Sequence, residues 1–287
     1  MTVDLIACYW TLGGAYQFGE HDQSPWDFRD RVEAAARAGY AGFGLKHADL
    51  MLTLGRYGYD GVRAILADNG IRHLELEALF DWYMDGEARQ RSDRMRLDLL
   101  TAAEKLGARH VKAAGAFVGS APAREQMTEA LQQLAAEARD AGTVIALEPI
   151  AFSQIPDLET AIGVLGDAAG RGAGLMLDIW HVTRAGMTFS AIARLPSEWI
   201  ACAELDDGTA DPVGSPIEDT LDRRRLCGEG EFDIGGFIAA VRGAGYDGPF
   251  GVEIIAAEQR RRPLDEAARR SFETTASQFI SASLASP

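Results

Sequence analysis

Four short apolar runs in the second half of the chain each end in a carboxylate. The runs are residues 144–148, 174–178, 200–204 and 250–253, and the acids that end them are Glu148, Asp178, Glu204 and Glu253. Because each run is short and lies between turn residues, it predicts a buried strand. A carboxylate is rarely buried unless it is paired or bound to a metal ion, so four of them at strand ends need a shared explanation.

The rest of the chain alternates between predicted strands and predicted helices. The other predicted strands are residues 3–10, 41–46, 72–79 and 109–113. The predicted helices are residues 25–38, 60–68, 93–106, 124–141, 158–169, 189–195, 234–244 and 263–284. Two stretches are predicted to be loops, residues 12–24 and the polar segment 206–231. No linker or low-complexity tract interrupts the alternation.

Eight strand–helix units in one chain predict an α/β fold, a (β/α)8 TIM barrel in which residues 1–287 form a single domain. The alternative is an open doubly wound sheet, which usually carries a glycine-rich phosphate-binding motif after its first strand. Gly13 and Gly14 do not match that motif. In a barrel the carboxyl ends of the strands form one rim, which brings the four acids together. The pattern therefore predicts a site for a divalent cation.

Composition narrows the classes of function. The chain has 287 residues, 47% of them hydrophobic, and a net charge of −15, which argues against a nucleic-acid partner because phosphates bind basic surfaces. Cys8, Cys202 and Cys227 are far apart and show neither a disulfide pattern nor a metal-binding spacing. The chain shows neither a secretory signal nor an apolar run of membrane-spanning length. We expect a soluble cytoplasmic protein with no membrane partner.

Several motifs resemble those of one enzyme family. They are Leu147-Glu148-Pro149, the Asp-x-x-His of residues 178–181, and the segments 42–50, 73–77, 204–208, 224–233 and 245–253. Over essentially its whole length the chain resembles the xylose isomerase-like barrels, the sugar phosphate isomerase/epimerase family that includes inosose isomerases and ketose 3-epimerases. The resemblance implies the same barrel and an enzyme of carbohydrate metabolism.

The resemblance also implies one divalent metal ion, held by Glu148, Asp178, Glu204 and Glu253. The family has a histidine where this chain has Glu204. Replacing an imidazole by a carboxylate moves the preference of the site from Zn²⁺ toward Mn²⁺ or Mg²⁺, which favour oxygen ligands. It also puts four carboxylates around one dication, so either one of them is protonated or Glu204 does not bind the ion directly.

By the same resemblance, the ion binds a carbonyl and a neighbouring hydroxyl of the substrate and stabilises an enediolate. Glu148 and Glu253 are expected to remove and return the proton of the carbon between them. His181 and Arg224 are expected to bind substrate oxygens. Which of the three consecutive arginines, residues 223–225, points inward stays open.

Other residues near strand ends are candidates for the substrate pocket. His47, Glu77 and Lys112 lie at the ends of the second, third and fourth predicted strands, as Lys46 does. Side chains of a strand alternate between its two faces, so about half of these are expected to point inward. Trp10 is a candidate wall against a sugar face, although aromatic residues are more often part of a core.

Together these residues predict a metal-dependent isomerase or epimerase that acts on a sugar, keto-sugar or cyclitol through an enediolate. Two alternatives stay open. One is a dehydratase or lyase that uses the same metal site, for example on 3-keto-glycosides, and the other is a barrel that binds a sugar without catalysis. The identity of the sugar does not follow from the sequence, because specificity lies in loops. The formation of a homo-oligomer is possible, and the sequence does not decide it.

Overall fold

Eight parallel strands pair in chain order and close into a barrel. The computed structural model describes residues 3–16 and 23–284, without the side chains of residues 280–284. Each strand pairs with the next along the chain, and the last pairs with the first, which confirms the predicted (β/α)8 barrel. The strands are β1 (Leu5–Ala7), β2 (Gly42–Lys46), β3 (His73–Leu79), β4 (His110–Ala114), β5 (Val144–Glu148), β6 (Ala173–Asp178), β7 (Ile200–Leu205) and β8 (Phe250–Val252).

Helices in the described part of the chain connect and surround the strands. The Asp27 carboxylate accepts a hydrogen bond from the first turn of the helix Phe28–Ala38, and Gly39 ends that helix with a positive φ. None of the helices combines the length and apolar character that crossing a bilayer requires. The helices are α1 (Tyr9–Gly13), α2 (Phe28–Ala38), α3 (His47–Asp68), α4 (Gly86–Leu106), α5 (Arg124–Asp140), α6 (Leu158–Leu165), α7 (Ile179–Arg184), α8 (Phe189–Ile192), α9 (Pro216–Asp222), α10 (Ile234–Gly243), α11 (Ala257–Arg261) and α12 (Leu264–Leu284).

Each strand has one face toward the helices and one toward the barrel axis. On β5, Ile145 and Leu147 belong to the main apolar core, which lies between the strands and the helices. Ala146 lies between them in sequence but belongs to a separate cluster with Met176 and Cys202 of β6 and β7. Because side chains alternate along a strand, the second group marks the face toward the axis. The same alternation puts the strand-end acids on that inner face.

The first strand is shorter than the sequence predicts. The apolar run 3–10 predicts a strand, but β1 ends at Ala7 and the residues from Tyr9 onward form α1. A short apolar run is compatible with a strand or with a buried helical turn, and here tertiary packing selects the turn. The predicted loop 12–24 overlaps the end of α1, and its residues 17–22 lie outside the described part of the chain.

Helical structure also extends beyond the segments predicted to be helical. α3 begins at His47, directly after β2, and passes a non-helical residue, Gly58, before it reaches the predicted helix 60–68. α9 forms inside the predicted loop 206–231, where Ser215 and Glu218 cap each other and Pro216 is the first helical residue. The capping residues and the proline are local helix signals, but the polar composition of the segment predicts a loop instead.

Candidate active site

The four strand-end acids meet at the carboxyl end of the barrel. Glu148 and Asp178 end β5 and β6, Glu204 is the penultimate residue of β7, and Glu253 follows β8 directly. Each offers one carboxylate oxygen, these oxygens all lie within 4.8 Å of one another, and all four residues are buried. The structure therefore brings together the acids that the sequence places at strand ends.

Glu148 is the acid with the fewest partners. Among the described residues its carboxylate accepts no hydrogen bond, and the basic side chain beside it is His181, whose Nε2 lies 3.8 Å from Oε1. Burial, together with the carboxylates of Glu253 and Asp178, raises the pKa of Glu148 well above its usual range. A buried carboxylate with no donor is an acceptor that a cation or a substrate can satisfy.

Arg224 joins the acids on one side of the site. Its Nη1 lies 2.7 Å from Oδ2 of Asp178 and 3.0 Å from Oε2 of Glu253, and it also donates to Asp206. The remaining guanidinium nitrogens donate to the backbone carbonyl and the hydroxyl of Thr220. Both sequence neighbours of Arg224 are exposed, so Arg224 is the arginine of the 223–225 run that points inward.

The charge of Asp178 is stabilised from two sides. Burial by itself would raise the pKa of Asp178, but Arg224, His181 and the backbone N–H of Trp180 lower it below its usual value. The Trp180 N–H donates to Oδ1 at 2.8 Å, so the same carboxylate also caps α7. Asp178 is therefore held in one orientation as an ionised group.

A buried lysine contacts the acids from the interior of the barrel. Nζ of Lys112, on β4, lies 2.5 Å from Oε1 of Glu204 and 3.1 Å from Oε1 of Glu253. It also lies 3.5 Å from Oε2 of Glu77, on β3. Burial opposes the charge of the lysine, but the surrounding carboxylates raise the pKa of Lys112 well above its usual range. Lys112 is therefore a positive charge inside the barrel.

The inner face is polar below the rim as well. Glu75 of β3 and His110 of β4 are fully buried, with Oε2 of Glu75 3.3 Å from Nε2 of His110. Burial opposes ionisation of Glu75, but Lys112 and His110 lower its pKa to about 2. Burial raises the pKa of Glu77 to about 7. Glu75 and His110 are absent from the predicted site, although the alternation that selects Glu77 and Lys112 also includes them.

His181 lies beside the acids of β5 and β6. Its Nε2 is 3.8 Å from Oε1 of Glu148 and 3.8 Å from Oδ2 of Asp178. Burial lowers the pKa of His181 to about 3, so the imidazole is neutral at physiological pH. Nδ1 has no hydrogen-bond partner among the described residues. A neutral imidazole in this position can donate one hydrogen bond to a substrate oxygen.

A row of phenylalanines leads from solvent to His181. The ring centre of Phe80 lies 5.3 Å from that of Phe117, which stacks on Phe152 at 5.5 Å. The Phe152 ring in turn lies 6.1 Å from the imidazole of His181. These phenylalanines follow β3, β4 and β5, on the side of the rim. They are absent from the predicted site because loop residues carry no periodic signal.

Two predicted pocket residues have other surroundings. Nε2 of His47 is hydrogen-bonded to Asp98 of α4 at 2.9 Å, so His47 faces an outer helix rather than the four acids. Trp10 is buried in α1 and packs in one cluster with Ile255, two residues after Glu253. The structure thus places Trp10 at the edge of the site and does not bring His47 to it.

The donor set at the rim fits a divalent cation. All four convergent groups are carboxylates, the hard oxygen ligands that Mg²⁺ and Mn²⁺ prefer. Lys112 and Arg224 supply two positive charges beside these four acids, so in formal charge the acids outnumber the cations. Two acceptors, the carboxylate of Glu148 and Oε2 of Glu204, have no hydrogen-bond partner in the described part of the chain. The residues that would hold such an ion are Glu148, Asp178, Glu204 and Glu253.

Sequence comparison connects the chain with one family. A profile of the family described as xylose isomerase-like TIM barrel matches residues 32–277. The chain is 29% identical over 238 residues to the 3-dehydroshikimate dehydratase of Pseudomonas aeruginosa. The alignment covers 79% of this chain and 36% of that protein. The chain therefore spans only 36% of the length of the curated relatives it matches.

Solved structures share the architecture. The IolI protein, in a crystal structure with a bound zinc atom, superposes with a TM-score of 0.84 at 18% identity, over 97% of this chain and 99% of that one. The D-allulose 3-epimerase of Methylomonas sp., in complex with D-allulose, gives a TM-score of 0.73 at 17% identity, over 96% and 97%. Because the family profile matches most of its length, this chain belongs to the xylose isomerase-like TIM barrels.

Proposed function

We propose that this protein is a metal-dependent isomerase or epimerase that moves a proton at a carbon next to the carbonyl group of a sugar, keto-sugar or cyclitol. The observation that carries the proposal is the convergence of Glu148, Asp178, Glu204 and Glu253 at one point of the rim. Because every donor is a carboxylate oxygen, we propose Mn²⁺ or Mg²⁺ as the ion. When bound, such an ion polarises a carbonyl group and stabilises negative charge on its oxygen.

Glu148 and Glu253 are the proposed proton carriers. They come from β5 and from the end of β8, three strands apart, so they approach a substrate from different sides. Glu148 accepts no hydrogen bond from any residue that the structure describes, so its carboxylate is available to exchange a proton. Glu253 is oriented by Lys112 on one oxygen and by Arg224 on the other. Removal of a proton by one carboxylate and return by the other, on the opposite face, inverts the configuration of the carbon.

His181 and Arg224 have different proposed roles. Nε2 of His181 lies between Glu148 and Asp178, where it can donate a hydrogen bond to a substrate oxygen. The resemblance implies a substrate contact for Arg224 as well. Because its guanidinium already contacts the acids and Thr220, we propose that Arg224 mainly holds Asp178 and Glu253 in place. Trp10, at the edge of the site, and Glu77, beside Lys112 on the inner face, are the remaining candidates for contacts with substrate.

A dehydratase is the second candidate function, and the 29% identical relative favours it, since that protein is a 3-dehydroshikimate dehydratase. The first step is the same removal of a proton next to a carbonyl. Elimination follows when the hydroxyl group on the next carbon leaves as water, taking up a proton from an acid, while a carbon–carbon double bond forms. Glu148 and Glu253 serve this reaction as base and acid in the same positions.

Exchange of substrate protons with solvent tests both candidates. Ketoses, keto-cyclitols and 3-dehydroshikimate are incubated with the protein and Mn²⁺ in D₂O and followed by NMR and mass spectrometry. An isomerase or epimerase gives a product that differs in composition from the substrate only by deuterium in place of hydrogen at the reacting carbon. A dehydratase gives a product lighter by one water.

The variants Glu148→Gln and Glu253→Gln test the proposed proton carriers. Each is expected to slow the exchange by at least about a hundredfold, because each removes one proton carrier. Glu159→Gln, at an exposed position of α6, is the matched control. Exchange at the wild-type rate in both site variants would refute the assignment.

A further inference from the structure

Lys112 is the lysine that the barrel encloses. The chain has three lysines, of which Lys46 is half-buried, Lys105 is exposed and Lys112 is fully buried. Around its ammonium are oxygens of four glutamates, on β3, on β7 and at the end of β8. The distances from Nζ are 2.5 Å to Glu204, 3.1 Å to Glu253, 3.5 Å to Glu77 and 3.7 Å to Glu75.

Glu204 depends on this lysine more than the other rim acids do. Asp178 contacts Arg224, on the other side of the site, and Glu253 contacts both Arg224 and Lys112. Among the described residues, Lys112 is the one cationic side chain that contacts Glu204. A buried carboxylate that loses its partner is strongly unfavourable, so without a bound ion the fold relies on Lys112 at this position.

The geometry of Glu204 allows it to contact the lysine and an ion at the same time. Its Oε1 lies 2.5 Å from Nζ of Lys112 and accepts a hydrogen bond from Sγ of Cys8 at 2.9 Å. Its Oε2 has no hydrogen-bond partner in the described part of the chain. The lysine ammonium is nevertheless a positive charge beside the site. Coulomb repulsion from it therefore opposes the binding of a second cation.

We propose that Lys112 is an internal counter-ion that holds the rim acids together in the metal-free protein, and that a divalent ion binds against its repulsion. The second part rests on the proposed function, whereas the first does not. Lys112 is thereby a positioning residue for Glu204 and Glu253. The acid site is then formed before the ion arrives, and it holds the ion less tightly than four carboxylates alone would.

Comparison of Lys112→Met with Lys105→Met in the full chain tests this proposal. In the presence of a chelator, Lys112→Met is expected to melt roughly 5–10 °C below the wild-type protein, because four carboxylates lose their counter-ion. In calorimetric titrations with Mn²⁺, the folded variant is expected to bind at least about tenfold more tightly, because the repulsion is gone. Lys105→Met, on the surface of α4, should match the wild-type protein in both measurements.

The double variant Lys112→Met/Glu204→Gln covers the case in which the single variant does not fold. Removing the carboxylate together with the lysine restores the charge balance, so the double variant should regain most of the lost melting temperature. It should also bind Mn²⁺ more tightly than Glu204→Gln alone. If Lys112→Met tightens Mn²⁺ binding both in the wild-type protein and in the Glu204→Gln variant, the competition between the lysine and the ion is supported.

Three results would overturn the proposal or one of its two parts. If Lys112→Met melts like the wild type in the presence of chelator, Lys112 does not act as a stabilising counter-ion. If Lys112→Met binds Mn²⁺ more weakly than the wild type, the lysine does not oppose binding of the ion. Absence of Mn²⁺ binding by the wild-type protein overturns the metal-dependent function and the competition together. A lowered melting temperature of Lys112→Met still supports the counter-ion role in that case.

Discussion

The two faces of the barrel sheet are equally buried and chemically opposite. Leu147 and Glu148 are neighbours on β5, as Leu177 and Asp178 are on β6, and none of the four is more than 7% exposed. The leucines belong to the core between strands and helices, whereas the acids converge toward the barrel axis. Burial therefore does not decide which residue type a strand position carries. The decisive factor is what lies opposite that position.

On the outer face, each strand meets helices that supply apolar side chains, so a leucine gains transfer free energy by being buried there. On the inner face, acids of different strands meet one another. Lys112 and Arg224 neutralise only part of that charge. Buried carboxylates without full compensation reduce the stability of a fold, and their concentration in one place is typical of a functional site.

The largest expected effect belongs to the inner face. Glu148→Gln is expected to weaken Mn²⁺ binding at least about a hundredfold, because it removes a proposed ligand of the ion and not merely a residue that orients a ligand. The melting temperature of the metal-free variant should equal or exceed that of the wild type, since Glu148 accepts no hydrogen bond among the described residues. Calorimetric titration and thermal melting measure the two quantities. A large loss of stability would show that Glu148 supports the fold instead of the site.

The neighbouring position on the outer face should respond in the opposite way. Leu147→Ala is expected to lower the free energy of unfolding by about 2–5 kcal/mol, because it leaves a cavity in a fully buried core. Mn²⁺ affinity of the folded variant should stay close to that of the wild type. Chemical denaturation measures the first quantity, with Leu97→Ala at an exposed position of α4 as control. Equal losses at both leucines would contradict the packing role of Leu147.

The smallest effect is expected at the amino end of the barrel, where charges serve stability alone. Hydrogen bonds from Arg72 and His73 lower the pKa of Asp4 below its usual value. The carboxylate therefore contributes stability above the pKa that it has in the unfolded chain, and the contribution is lost as the pH falls through the lower folded pKa. Because the groups are partly exposed, Asp4→Asn should cost less than about 1 kcal/mol.

Denaturation of the wild type and Asp4→Asn at several pH values tests this expectation. The difference between the two proteins should be constant near pH 5 and shrink toward zero below about pH 3. A difference that grows as the pH falls would contradict the assignment. Activity should not change, because Asp4 precedes β1 and lies at the end of the barrel opposite to the acids.

Much of the fold could be predicted from the sequence because its signals are local. The apolar runs that end at Glu148 and Asp178 are strands with the predicted ends, and the eight units form the predicted barrel. The error at residues 3–10 has a physical cause. The apolar side chains of Tyr9 and Trp10 are buried in a helical turn as well as they would be in a strand, and hydrophobicity does not distinguish the two.

The candidate site could also be predicted from the sequence only in part. That acids at the carboxyl ends of neighbouring parallel strands converge follows from the spacing of the runs and from the geometry of a barrel. That His47 turns to an outer helix, that Arg224 is the inward arginine of its run, and that Lys112 stands among four glutamates do not follow from it.

The reason is that a periodic pattern specifies which element a residue belongs to, whereas the partner of a side chain depends on strand register and on the rotation of each strand around the barrel axis. Those quantities are set by contacts between residues far apart in the chain. The alternation of residue types therefore determined the architecture and the place of the site, and the packed structure alone determined which charges meet there.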